Sequence, residues 1–227
     1  MLLNLLKFIG QIGFSVCHQL PQRTLLFGNL LMPVCSRCSG IYIGFLFTMI
    51  FLFILFRKRE SELPPVYVIV IAIVFILSSI IDGLLSYLGV YITNNILRLI
   101  TGYMFGAGIS IIIYPVFVYQ YFKDSQKKKI FQNYRQFIYF IIISVILSLV
   151  QILGPYWFGT FFYYLNGFSV IFTFYLSNLT LLLLIPYFSQ KAARLFSRHL
   201  IFPSVIALAA SFLELFLSYR LHIFLSR

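Results

Sequence analysis

Runs of about 20 apolar residues, each long enough to cross a hydrocarbon core of about 30 Å as a helix, recur along the whole 227-residue chain with only short polar breaks between them. In lipid every backbone amide must be paired within its own segment or within a closed barrel, so runs of this length predict helices. The spans fall near residues 40–56, 65–88, 96–122, 137–157, 165–188 and 200–221. Composition agrees: 61% of residues are hydrophobic and 10% charged, against a charged fraction of about 25% in soluble domains. The expected fold is all-α, a polytopic transmembrane helical bundle of six spans forming a single integral membrane domain over residues 1–227. Residues 1–16 are apolar but interrupted by Lys7, with no small-residue cleavage site after them. They are expected to remain as an amphipathic or partly inserted helix.

A formal net charge of +12 raises the question of nucleic acid. The basic residues, however, sit in short connections between spans and not on a polar face among stacking aromatics, so no nucleic-acid partner is expected and the partner is the lipid bilayer. Eleven of the seventeen basic residues occupy alternate connections: Arg57, Lys58 and Arg59; Lys123, Lys127, Lys128, Lys129 and Arg135; Lys191, Arg194 and Arg198. Basic connections are retained in the cytoplasm. The expected arrangement is a cell inner membrane with loops 57–62, 123–136 and 189–199 cytoplasmic. Connections 89–95 and 158–164, together with the Cys-rich segment, would then be extracytoplasmic.

That segment holds every cysteine of the chain, as Cys17-His18-Gln19 and Cys35-Ser36-Arg37-Cys38. Cysteines three apart at a helix start place their sulfurs on one side, and Cys17 can return across the loop as a third thiolate. Cys17, Cys35 and Cys38 with His18 are therefore candidate ligands for zinc or another transition metal. Adjacent residues rarely point the same way, so His18 is equally a candidate base or a group behind the ligands. A disulfide or redox role is the competing reading, because a Cys-x-x-Cys at a helix start favours its thiolate. Inert buried thiols are the third.

Asp82 interrupts the apolar run before it, and a charge within a span costs about 2.5–3.5 kcal/mol on insertion scales, so it is expected to face inward with a partner. Arg98, with Asn94 and Asn95 just ahead of it, is the expected partner. The pair is either a clamp between two spans or functional, with Asp82 as ligand or proton acceptor and Arg98 holding an anionic group. His18, Asp82 and Arg98 are the candidate catalytic residues. Glu214, His199 and His222 invite the same question with less support. Gln151, Asn166 and Asn178 are candidate interhelical hydrogen-bonding groups. Gly102 and Gly106, with Gly108, put small residues on one helix face and allow close packing of a neighbouring helix or a homo-oligomer.

Cys17-His18-Gln19-x-Pro21-x-Arg23-Thr24, then Pro33-x-Cys35-x-Arg37-Cys38-x-Gly40-Ile41-Tyr42-x-Gly44, resembles the signature of a family of small bacterial and archaeal membrane proteins, domain of unknown function 2085. Asp82-Gly83 and Asn95-x-x-Arg98-x-x-Thr101-Gly102-x-x-x-Gly106 resemble that family's second block, where Thr93-Asn94-Asn95 stands in place of its usual Ser-Thr-Asn. The likeness covers residues 14–108. It implies a membrane fold and picks out the same residues, and it carries no substrate or metal with it.

Phosphate-loop, serine-nucleophile, HExxH and dinucleotide motifs are all absent from the sequence. The leading expectation is an outward-facing Cys/His/Asp/Arg site that binds metal and acts on a lipid-soluble or extracytoplasmic substrate, with enzyme status open. The alternatives are a transporter of an ion or small solute, using Asp82 and Glu214, and a thiol redox or membrane assembly protein.

Overall fold

The structure, a computed structural model, describes residues 2–27, 30–57, 59–192 and 198–225, without the side chains of residues 2, 3, 27, 155 and 156. Lys58 and Arg194 of the basic connections lie outside the described residues. Seven helices dominate: α1 Leu2–Val16, α2 Ser36–Leu55, α3 Val66–Tyr87, α4 Asn95–Tyr121, α5 Tyr134–Leu153, α6 Pro155–Leu183 and α7 Ile201–Leu225. Six of them, α2 to α7, are long and apolar enough to cross a membrane. The fold is the expected polytopic helical bundle.

Local chemistry sets the boundaries. Asn94 caps α4 by accepting from the Leu97 amide at 2.7 Å, and Asn133 caps α5 through the Arg135 amide at 3.3 Å; asparagine at this position satisfies amides that the first turn leaves unpaired. Pro65 precedes α3, and Pro155 opens α6 at a position where its missing N–H costs nothing. That last boundary corrects an expectation. Residues 158–164 are not a connection, because α5 ends at Leu153, Gly154 makes the turn, and the aromatic stretch that follows is already helical. A break at Phe158 (φ −134°, ψ 43°) takes up the change of direction.

The closest crossing joins α2 to α4. A Cβ on Gly40 would lie 2.2 Å from the Leu99 carbonyl oxygen, one on Gly102 2.2 Å from that of Arg37, and one on Gly106 2.1 Å from that of Ile41. Backbone therefore lies directly on backbone, as small residues permit between membrane helices. Gly102 and Gly106 face α2 within the chain, and Gly108 faces Ala72 of α3. By contrast α3, α5 and α7 present rows of exposed apolar side chains, such as Val70, Ile73, Val74 and Leu77 on α3 and Ile138, Ile142, Val145 and Leu149 on α5. Such rows are the surface a bilayer covers.

Helix alternation collects the connections on two faces. On one, β3 (Glu60–Glu62) pairs in parallel with β4 (Gln126–Lys129), and Phe122 bridges Ala192, tying three connections together. On the other lie the end of α1, the loop 17–35 with its hairpin β1 (Leu26–Phe27) and β2 (Leu30–Leu31), the α3–α4 and α5–α6 turns, and the end of α7. α1 has 15 residues, is not among the spans, and packs on α6 and α7: Ile9 and Ile12 are buried while Lys7 and Gln11 are exposed. It is the amphipathic helix expected.

Candidate metal and polar centre

The loop 17–35 is held by its own side chains. Gln19 sits at φ 50°, and its amide nitrogen Nε2 donates to the carbonyls of Gly10 at 2.9 Å and Pro33 at 2.6 Å. Ser36 Oγ donates to the Arg23 carbonyl at 3.0 Å. Asn95 Nδ2 reaches the Gln22 carbonyl at 3.3 Å. Gly13 allows α1 to approach this loop, since a Cβ there would meet the Pro33 carbonyl oxygen at 1.8 Å.

These ties bring Cys17, at the end of α1, onto the start of α2. The sulfurs of Cys17, Cys35 and Cys38 all lie within 4.8 Å of one another, and the cysteines are free thiols. Zinc–sulfur bonds of about 2.3 Å in a tetrahedron put sulfurs about 3.8 Å apart, so a small contraction of the trio would suit a transition metal. The Cys35 amide points at Cys17 Sγ (3.2 Å), as does the Gln19 amide (3.5 Å). N–H groups aimed at sulfur favour the thiolate. Cys35, the residue capping α2, is the most acidic position: hydrogen bonds from Cys17 and then Cys38 hold its thiol well below the ordinary range, and the Cys38 and Arg37 amides add to this. Cys17 is raised in turn, first by its bond to Cys35, and burial at 5% exposure acts the same way. The thiol shifted downward is thus the one at the start of α2, where a helix N-terminus favours negative charge.

His18 is exposed and is not part of this cluster. Its ring lies against that of His222, centroids 4.8 Å apart, and His222 Nδ1 is 2.7 Å from the Phe14 carbonyl oxygen. The two histidines thus join the ends of α1 and α7.

Asp82, 4% exposed, lies one helix away. Its partner is Arg37, not Arg98: Arg37 forms the salt bridge, Tyr91 donates its hydroxyl to the other oxygen, and Thr101 Oγ1 is 3.3 Å away. The carboxylate it bonds pushes the Tyr91 phenol up, so Tyr91 stays a donor. The expected pairing failed because Arg37, in the first turn of α2, reaches across Gly83, whereas Arg98 turns to Ser86 Oγ (3.4 Å) and Asn95 Oδ1 (3.5 Å). Glu214 does not reach this face. It accepts from Asn178 Nδ2 at 2.9 Å, beside Ser211. Gln151 does link helices, donating to Ser39 Oγ at 3.0 Å, while Asn166 bonds mainly within α6, to the Phe162 carbonyl at 2.8 Å.

Residues 17–112 match the model of the family described as "Predicted membrane protein", domain of unknown function 2085. The chain belongs to this family. An uncharacterized protein of Methanocaldococcus jannaschii is 33% identical over 127 residues, covering 53% of this chain and 80% of its own length. Another, from Methanothermobacter thermautotrophicus, is 32% identical over 97 residues, covering 43% of this chain and 83% of its own length. No solved structure matches the chain. The family match begins on Cys17 and takes in Arg37, Asp82 and Arg98, leaving α5 to α7 outside it.

Sequence reasoning named Gln19 within its motif but missed its bonding role, and it passed over Tyr91 and the pairing role of Arg37. Arg37 gave a usable signal: a charge in the first turn of a span needs a partner as much as Asp82 does. Tyr91 lies in a short turn and gave none.

Proposed function

We propose that the family fold builds a metal-binding thiolate centre on the extracytoplasmic face of a cell inner membrane. Cys17, Cys35 and Cys38 are the protein ligands. A soft thiolate set suits zinc or a comparable transition ion, which, bound there with a position left for an outside ligand, would supply Lewis acidity. The observation that carries this reading is the convergence of the three sulfurs from two separate segments, with backbone amides aimed at one of them. A structural disulfide needs two cysteines, and this arrangement organises three.

The substrate that fits the position is lipid-soluble or approaches from the extracytoplasmic side. His18, next to Cys17 in sequence and exposed, would move a proton, Asp82 would fix Arg37 near the ligands, and Arg98 would offer charge to an anionic part of the substrate. The basic connections on the opposite face support this sidedness.

The test is the metal content of detergent-purified protein by plasma mass spectrometry, with a free-thiol count. The expected result is about one transition ion per chain, as three-thiolate sites hold, lost in Cys35→Ser while the variant still elutes as a single folded species. No ion together with two oxidised thiols would replace this reading with a redox one. Sidedness is checked separately by an Ile92→Cys variant, since Ile92 is 99% exposed in the α3–α4 turn. A membrane-impermeant maleimide should label it in intact cells, and labelling only after rupture would reverse the orientation.

A further inference from the structure

Arg98 is a buried guanidinium that, among the described residues, forms no ion pair. It is 8% exposed, its Nε has no hydrogen-bond partner, and its two Nη atoms make only long contacts, to the neutral Asn95 and Ser86 at 3.5 and 3.4 Å. Among the described residues no carboxylate pairs with it. The chain has five acidic residues, and Asp82, the acid that reaches this region, is already held by Arg37, Tyr91 and Thr101. The positive charges of Arg23 and Arg37 both act on Arg98. Three arginines thus gather around one occupied carboxylate, whose charge, with that of Cys35, offsets only part of theirs, so a further anion would be favoured there.

The surroundings suit such an anion. Arg98 lies in the first turn of α4, and a helix N-terminus favours negative charge. Asn95 fastens this turn to the loop that carries Arg23, and Arg23 is exposed. A guanidinium whose donors lack an acid is shaped for oxyanions, and phosphate oxygens accept from it in bidentate fashion. The charge of Cys35 also acts on Arg98, which places the anion within electrostatic reach of the thiolate centre.

We propose that Arg98, with Arg23, Ser86 and the first turn of α4, binds a phosphate group, so that the substrate or lipid taken up by this site is phosphorylated. The proposal rests on the reading of Arg98 given above and gives its anion a chemical class. It does not depend on the identity of the metal.

The test uses the full chain purified in a nonionic detergent. Thermal unfolding is followed against inorganic phosphate, against a short-chain phosphatidylglycerol, and against short-chain phosphatidylcholine and chloride at matched ionic strength. Saturable stabilisation by phosphate assigns a free phosphate or phosphate ester; stabilisation by phosphatidylglycerol alone assigns a lipid headgroup. In either case the half-saturating concentration should rise at least about tenfold in Arg98→Gln, as removal of a charge-assisted contact does. Arg23→Gln, at an exposed position, should shift it in the same direction and serves if Arg98→Gln does not fold. Absence of any saturable response, or an equal response in both arginine variants, would overturn the site. Repetition with Cys35→Ser separates the two readings: a response that survives loss of the thiols belongs to Arg98 whether or not metal is present. A response abolished with them would assign the anion to the metal centre and overturn the proposal.

Discussion

The segment from Cys17 to the end of α4 and the segment from α5 to α7 are both apolar helical membrane sequence, yet they are built differently. In the first, glycines bring α2 and α4 backbone to backbone, and the polar groups are knotted: Asp82 has three partners and Gln19 two. In the second, α5 and α7 expose most of their large side chains, and polar groups are met singly, Gln151 by Ser39 and Glu214 by Asn178. Without a hydrophobic drive between helices in lipid, close packing and satisfied polar groups are what remains to fix a geometry. The first segment therefore reads as the part that must hold atoms in place, and the second as the part that surrounds it. The family match ends within the first segment.

The largest effect should come from filling the α2–α4 crossing. Gly106→Leu would drive a side chain into the Ile41 carbonyl, where even a Cβ lies at 2.1 Å, and the cost should reach or exceed the about 3 kcal/mol of overpacked cores. The expected outcome is loss of monodisperse protein in size-exclusion chromatography. Gly167→Ala in α6 is the counterpart: its nearest contacts, at 2.7 Å, are side-chain carbons of Ile9, which can shift, so yield should be largely kept. Equal loss in both would erase the distinction between the segments.

Next in size is Asp82→Asn. It leaves the Arg37 guanidinium facing a neutral amide at a position where the acid is 4% exposed. Breaking a buried pair by removing one partner costs about 3–5 kcal/mol, and because Arg37 keeps 21% of its side chain exposed the lower end is expected. Thermal unfolding in detergent should show it. A shift no larger than that of a surface control would mean that Arg37 is solvated and the knot is slack.

Much of this architecture was legible in the sequence. Apolar run length sets the six spans because the membrane imposes a ruler, and the Cys-x-x-Cys spacing already places Cys35 and Cys38 on one side of a helix start. What escaped was pairing across elements. Asp82 needs an arginine, but Arg37 and Arg98 satisfy that need equally well on paper, and only the α2–α4 crossing decides between them. The turn at Gly154 was lost for a related reason: the aromatic residues 156–164 look like an interfacial belt, while Gly154-Pro155 is the stronger break. The hairpin β1–β2 carried a Gly28-Asn29 signal between leucine and phenylalanine positions that hydropathy alone overlooks.

Gln19→Ala should come third. It removes two hydrogen bonds to backbone carbonyls, each worth about 1 kcal/mol net, and it leaves alanine at φ 50°, a conformation with its own cost. Because these bonds hold the loop that delivers Cys17, the loss should appear less in global unfolding than in metal retention, as an affinity about tenfold weaker in competition with a chromogenic chelator. Unchanged retention would mean that the Cys17 position is fixed by α1 packing alone.

The smallest effect, and the one that most sharpens the contrast, is expected at Glu214. Like Asp82 it is an acid within a span, but it is exposed on the outer side of α7 and is met by the Asn178 amide at 2.9 Å, with no cation recorded against it among the described residues. Glutamine preserves an oxygen that can accept from Asn178, and it removes a charge that insertion into lipid penalises by about 2.5–3.5 kcal/mol. Glu214→Gln should therefore be neutral or raise the unfolding temperature slightly, opposite in sign to Asp82→Asn, with metal content unchanged. Loss of stability on the scale of Asp82→Asn would show that the carboxylate charge is held by something in the membrane, such as a cation. The second segment would then carry a charged site of its own, and an ion-transporting role would gain the footing that the geometry of the first segment does not give it.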